Sequence, residues 1–319
     1  MNERIVTVAA AQYPVEFIGT WTRYAQKVSA MVEDAAGQGA ALLVFPEYAS
    51  LELASLFPAE VYGDIHKQLD ALQELLPRFR RLFCELAETH DCYIVAPSFP
   101  ELLADGTFVN RAYVCRPDAS FDFQDKLIMT RFETEQWHIT PGREAKVFAA
   151  RFGRFAVNIC YDAEFPLLAR RQVEAGADLI VVPTCTDTHA GYYRVQTGSR
   201  ARALENQCYV VTAPVVGVAA WSEAIDINVG AAGVFAPIDY GFPSDGVLAT
   251  GAMNEAMWLL ADLDLAQIAR VRAEGQVYNY RDWARQFDSD VIPVTVPEPG
   301  WLVPAMVTSV VRDGVKRDA

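Results

Sequence analysis

The chain has 319 residues, of which 52% are hydrophobic and 21% charged, and its formal net charge is -14. The apolar share is enough for a buried core and excludes a largely disordered chain. The acidic balance argues against a nucleic-acid partner, which needs clustered Lys and Arg, and against adhesion to an anionic membrane.

In chain order, short β-rich runs alternate with longer helical stretches. A compact apolar run predicts a strand over 5–11, and helical periodicity over 21–36 stops at Gly37 and Gly39. ALLVF at 41–45 reads as a second buried strand, halted by Pro46. A long amphipathic helix is expected over 69–89, then a strand at 92–96 closed by Pro97. Four strand-like runs follow with no helix between them, at 109–115, 121–127, 147–151 and 155–159. A helix at 166–175 precedes a strand at 179–182, and a helix at 193–206 precedes a strand at 208–213. Strands at 231–235 and 257–261 and a helix at 265–271 complete the pattern, which fades into Pro, Asp and Gly from about 275.

No repeat, low-complexity tract or composition break marks a linker. The expected organisation is one α/β domain with mixed sheets over residues 1–275 and a C-terminal extension over 276–319. No window approaches the roughly 18 to 20 apolar residues of a membrane span, and the N-terminal apolar run is shorter than a signal peptide needs. Six cysteines without CxxC spacing and four scattered histidines (His66, His90, His138, His189) make neither a disulfide framework nor a zinc site. These features predict a soluble, cytoplasmic protein with reduced thiols and no evident metal.

Searches for phosphate loops, dinucleotide fingerprints, GxSxG elbows and HExxH pairs find nothing. What stands out is a polar residue at or just past the end of three buried strands, where a rigid backbone opens onto the sheet rim. Glu47 in LLVFPEY could be a solvated loop carboxylate. Lys126 in FDFQDKLIM is one of only five lysines against 22 arginines, and its plain alternative is an edge-strand charge. Cys160 in RFAVNICYDAEFP could be a small core residue. Taken together they suggest more. A thiol becomes a nucleophile when a base removes its proton, and an ammonium beside it can stabilise both the thiolate and a developing oxyanion.

At these residues the sequence resembles the carbon–nitrogen hydrolase, or nitrilase, superfamily. VFPEY, DKLIM and NICYDAEFP stand in the family's order, and RARALENQ at 200–207 followed by CYVV matches a fourth feature. The resemblance covers about residues 5–265. It implies a four-layer α-β-β-α sandwich and a cysteine acyl-enzyme mechanism without a metal or organic cofactor. Glu47 would be the general base, Cys160 the nucleophile and Lys126 the oxyanion cation, with the Tyr161 backbone N–H as second oxyanion donor. A second glutamate precedes a Pro-Gly pair in the family; the interval to Gly142 selects Glu135, with Glu133 as runner-up.

Cys160-Tyr161-Asp162 matches amide-cleaving members better than nitrile-cleaving ones, with Asp162 fixing the turn. A nitrilase or an N-carbamoyl amidohydrolase would use the same site, and an idle binding module would have lost part of it. Trp137, Glu164, Thr184, Cys185, Asp187 and Tyr192 fall on segments that line the family's pocket. If exposed there, Glu164 and Asp187 would favour an uncharged or cationic amide. The chain departs from the family pattern at Gln124-Asp125, at Ala232, and in a tail carrying Tyr278, Tyr280, Trp283 and Trp301. Such a tail suggests packing at a subunit interface, hence a homodimer or larger assembly acting on a small amide, with no nucleic-acid or membrane partner.

Overall fold

Strand β1 (Ile5–Pro14) shows how the layers arise. Side chains alternate across a strand, and here Val6, Val8 and Ala10 enter one core while Ala9, Ala11 and Tyr13 enter another. Strand β2 (Leu42–Val44) repeats the split, with Leu42 and Val44 on the first side and Leu43 with the following Phe45 on the second. A run that is apolar at every position is therefore a strand buried on both faces.

In the computed structural model, which describes residues 5–286, β1 pairs in parallel with β2, and β2 with β3 (Tyr93–Val95). Strands β4 (Phe99–Leu102), β5 (Phe108–Cys115) and β6 (Phe121–Asp125) extend this sheet as antiparallel neighbours. The second sheet holds β7 (Val147–Ala150), β8 (Gly153–Val157), β9 (Leu179–Thr184) and β10 (Tyr209–Val218), with β8, β9 and β10 parallel. Short strands β11 (Ile227–Asn228), β12 (Gly233–Phe235) and β13 (Val247–Thr250) join it, while β14 (Met257–Asp264) returns to pair antiparallel with β1. The two sheets connect where Tyr13 and Pro14 of β1 pair with Val215 and Val216 of β10.

Helices cover the outer faces. Helix α1 (Trp21–Gly37) starts where the Thr20 side chain accepts the Arg23 N–H, and buries Tyr24, Val28, Val32 and Ala35 along one stripe. Each of its larger buried side chains is worth roughly 1.5–3 kcal/mol. Beyond α2 (Ala59–Tyr62), the expected single helix over 69–89 is two, α3 (Ile65–Leu72) and α4 (Leu76–Thr89). The break falls before Pro77, which lacks an N–H and whose ring would collide with the carbonyl four residues back. After the short α5 (Arg131–Glu135), helices α6 (Pro166–Glu174) and α7 (His189–Asn206) pack Ala169, Val173, Val195 and Ala203 into the core of the second sheet. The order of layers is α-β-β-α. Helix α7 begins four residues earlier than its periodicity suggested, because the Thr188 hydroxyl caps it by accepting the Gly191 N–H.

After α8 (Leu265–Glu274), the chain continues over its own core. The Tyr280 ring lies against the guanidinium groups of Arg170 and Arg272, and its N–H donates to Gln207. Residues through Arg281 form one unit, and Trp283–Gln286 is a separate short 3-10 turn. Trp301 and the remainder of the expected extension lie outside the described residues. Among the described residues, no helix is long and apolar enough to cross a membrane.

Candidate active site

Four strand ends converge at one rim of the two sheets. Glu47 follows β2, Lys126 follows β6, Cys160 follows β8, and Cys185 follows β9. Two sharp turns aim the first and third. Tyr48 and Cys160 both have positive φ, at 55° and 49°, a left-handed conformation that costs a non-glycine residue roughly 1–2 kcal/mol. Tyr48 is held by its N–H to the Ser98 hydroxyl at 2.9 Å. The Cys160 turn is tied by Asp162, whose carboxylate accepts the N–H groups of Ile159 at 3.1 Å, Leu127 at 3.1 Å and Ile128 at 2.8 Å. One buried side chain thus joins the segment before the thiol to the segment after the lysine. Helix α7 backs the same turn: Arg202 donates to the Ala163 carbonyl at 3.0 Å, and a Cβ on Gly198 would come within 2.9 Å of that oxygen.

Lys126 is 1% exposed and lies between two carboxylates, 2.7 Å from Glu47 Oε1 and 2.5 Å from Glu133 Oε2. Glu133 also accepts from the Tyr48 hydroxyl at 2.8 Å and from the Thr130 N–H and hydroxyl at 2.9 Å each. Glu47 Oε2 accepts the Cys185 N–H at 3.1 Å. The Cys160 thiol lies within hydrogen-bonding reach of Glu47, and its sulfur is 3.8 Å from the Cys185 carbonyl.

The electrostatics follow from this burial. Loss of solvent opposes the Lys126 charge, but Glu47 and Glu133 outweigh it and hold the ammonium charged well beyond its ordinary range. Burial also opposes the Glu133 charge, yet Lys126, Thr130 and Tyr48 overcome it and keep that carboxyl below the usual carboxylate range. Glu47 goes the other way: burial raises it, against the pull of Lys126 and with the help of Glu133. Burial pushes the Cys160 thiol well up, Glu47 adds to this and Lys126 opposes it. The arrangement is a protonated thiol beside a carboxylate of raised proton affinity, with a fixed cation between that carboxylate and a second one.

The site opens into a cavity of about 550 Å³ lined by Glu47, Lys126, Glu133, Cys160 and Tyr161, with Trp137, Glu164, Cys185 and Asp187 among its walls. A larger cavity of about 670 Å³ lies against β5 and β6 near Arg111 and Arg143 and is lined by no Cys, Ser, Lys or His. Among the described residues, no group of three or more His, Cys, Asp or Glu side chains is arranged to hold a metal ion.

Three expectations need correction. Glu135 is not at the cluster: it lies on the exposed side of α5, paired with Arg131 at 2.7 Å, while Glu133 meets Lys126. The reason is the capping box that starts α5, in which Thr130 and Glu133 bond each other's backbone and turn Glu133 inward. Thr184 does not line the cavity; its hydroxyl donates to the Ala213 carbonyl inside the sheet. Nor does Tyr192, whose ring packs against Tyr193, one turn after the α7 N-cap.

The family's Pro-Gly pair nevertheless has a local role. Gly142 donates to the Lys126 carbonyl at 2.7 Å, and a Cβ there would stand 2.6 Å from that of Asp125. The departures at Gln124 and Asp125 are absorbed by the strand edge, where Asp125 receives a two-pronged contact from Arg111 and Gln124 bonds the backbone at Glu144 and Lys146.

The family model described as carbon-nitrogen hydrolase matches residues 7–273. The chain belongs to the carbon–nitrogen hydrolase family. It is 34% identical over 281 residues to the probable hydrolase YhcX of Bacillus subtilis strain 168, a match covering 88% of this chain and 54% of that protein. The chain thus spans about half the length of this relative. It is 25% identical over 294 residues to the human omega-amidase NIT2, covering 86% of this chain and 92% of the relative. Among solved structures, the carbon–nitrogen hydrolase of Helicobacter pylori G27 shares the fold with a TM-score of 0.69 at 20% identity, over 91% of this chain and 97% of that one.

The sequence reading did not single out Asn110 or Tyr48, although both bond the glutamates around Lys126. Asn110 carried a signal. In VNRAYV the residues at 112 and 114 face the core between the sheets, so the asparagine two positions earlier is the polar exception in an apolar row.

Proposed function

We propose that this chain hydrolyses a non-peptide amide to a carboxylic acid and ammonia or an amine through a thioester on Cys160. Glu47 takes the thiol proton, and the thiolate attacks the carbonyl carbon. The Lys126 ammonium and the Tyr161 N–H stabilise the tetrahedral oxyanion. Glu47 returns its proton to the departing amine, then takes one from the water that attacks the thioester and releases the acid. Glu133 keeps Lys126 charged and in place. The observation that carries this reading is the buried Lys126 held between Glu47 and Glu133 on the floor of the Cys160 cavity. The names of the relatives, hydrolase and omega-amidase, agree with it.

The same cavity supports a preference for uncharged or cationic amides. Its walls carry Glu164, Asp187, Glu223 and Asp226, while Arg194 is 3.6 Å from Glu164 and Arg131 is already paired with Glu135. Ammonia release from matched neutral, amine-bearing and carboxylate-bearing amides, with Cys160→Ala in parallel, tests both points. Release by the wild type and none by the variant is the expected result. Consumption of matched nitriles or carbamoyl compounds in place of amides would overturn the amidase reading. Fastest turnover of dicarboxylic acid monoamides would overturn the charge preference.

A further inference from the structure

Asn110 is fully buried on β5 and bonds Lys126, Glu47 and Glu133. Its carbonyl accepts the Lys126 N–H at 2.8 Å, which continues the β5–β6 ladder one step and sets where the lysine leaves the sheet. Its side-chain nitrogen donates to Glu47 Oε1 at 3.0 Å and to Glu133 Oε1 at 3.1 Å. A primary amide has two hydrogens, so one goes to each carboxylate.

The donors on Glu47 are unevenly shared as a result. Oε1 accepts from both Lys126 and Asn110, whereas Oε2 accepts only the Cys185 N–H. A carboxylate oxygen carries about two lone-pair sites. Oε1 therefore holds two donors and Oε2 only one, which makes Oε2 the less occupied atom. On Glu133, by contrast, Tyr48 and Asn110 occupy Oε1, and Lys126 and Thr130 occupy Oε2.

We propose that Asn110 is a positioning residue of the reaction: it pins the two glutamates around Lys126 and leaves Glu47 Oε2 as the atom that receives the Cys160 proton. In that transfer the Sγ–H bond breaks, an Oε2–H bond forms, and a thiolate remains beside the ammonium. The proposal rests on Glu47 acting as the base. It also accounts for the fates of two carboxylates that share one lysine. Hydrogen bonds to an ionised carboxylate favour that form, and the amide supplies one to each, so neither glutamate is driven to take a proton from the other.

The test is the pH dependence of Cys160 alkylation by iodoacetamide, read by peptide mapping, which needs no knowledge of the substrate. The charged and titratable groups facing Glu47 are Lys126, Glu133, Tyr48, Cys160 and Cys185, and all stay in place in Asn110→Ala and in the equally shaped Asn110→Asp. Losing a hydrogen bond to a charged group is worth about a tenfold change in proton affinity. The acid limb of the profile should therefore move up by about one pH unit in Asn110→Ala. It should move further in Asn110→Asp, where a third carboxylate is added. A purely structural role would lower the rate in proportion at every pH and leave the limb in place, and that result in either folded variant overturns the proposal. Glu47→Gln separates the two levels. If it abolishes the limb while the Asn110 variants keep theirs at the wild-type pH, only the role of Asn110 fails. If it leaves the profile unchanged, the base assignment itself fails.

Discussion

Two buried lysine–glutamate clusters sit on the first sheet, and only one of them has the makings of a catalyst. In the outer layer, Lys27 of α1 bonds Glu52 at 2.6 Å, and Glu52 also accepts the Glu16 N–H at 2.6 Å and the Tyr13 hydroxyl. At the rim between the sheets, Lys126 bonds Glu47 and Glu133. Both clusters are withdrawn from water, and burial raises Glu52 as it raises Glu47. The outer cluster also sets two carboxylates against one cation, since Glu16 lies 3.8 Å from Lys27, but Glu16 is half-exposed and none of the cluster's residues lines either of the two cavities. The rim cluster buries both of its carboxylates, leaves an oxygen of Glu47 with a single donor, and adjoins a thiol that lines a cavity. A buried ion pair by itself is a structural element; a less occupied acceptor next to a nucleophile, with room for a substrate, makes it reactive.

Removing each lysine breaks that comparison most sharply. Lys126→Met should lower kcat/KM by about 10³-fold or more, since in the proposed mechanism both oxyanion stabilisation and control of the base depend on it. Lys27→Met should leave kcat/KM within about twofold below the melting range but destabilise the fold by roughly 3 kcal/mol, because Glu52 is left buried and uncompensated. Steady-state kinetics and chemical denaturation on the same preparations check both.

The two glutamates of α5 give a smaller and equally directional contrast. Glu133→Gln should cost about 10²-fold in activity, because it removes one of the two charges that hold Lys126. Glu135→Gln should change activity less than about twofold, since its pair with Arg131 is solvent-exposed and such pairs are worth little. Equal losses in the two variants would return Glu135 to the site.

A third contrast concerns stability against pH. Burial pushes the Asp162 carboxyl up to about 7, ahead of the opposing pull of Lys126 and the three backbone N–H groups. A raised native value means that the folded state holds the proton more tightly than the unfolded chain. The contribution of Asp162 is therefore fully present below about pH 4 and is lost as pH rises through about 7. Relative to Asp162→Asn, the wild type should lose at most about 4 kcal/mol over that range. Parallel denaturant titrations at pH 5 and pH 8 measure the difference, and a gap that stays constant would show that the carboxyl titrates normally.

Strand ends and apolar alternation made Glu47, Lys126 and Cys160 legible before any coordinates, because a polar residue that stops a buried strand stands out in one dimension. The choice between Glu133 and Glu135 did not. Counting back from Gly142 measures chain length, whereas the inward turn of Glu133 comes from a capping box whose geometry exists only once α5 has formed. Thr184 and Tyr192 failed for a related reason: lying on a pocket-forming segment does not say which way a side chain points.

What the sequence by itself determined is the set of buried strands, the order of the motifs and the chemical types available at the strand ends. These depend on local pattern, with its period of 2 or 3.6. The tertiary structure alone decided which carboxylate meets the lysine, that Asn110 bridges two glutamates 63 and 23 residues away, and that one oxygen of Glu47 keeps a single donor. Those facts rest on distances of about 3 Å between strands far apart in sequence. Such distances follow from how two sheets and four layers pack together, which no stretch of sequence specifies alone.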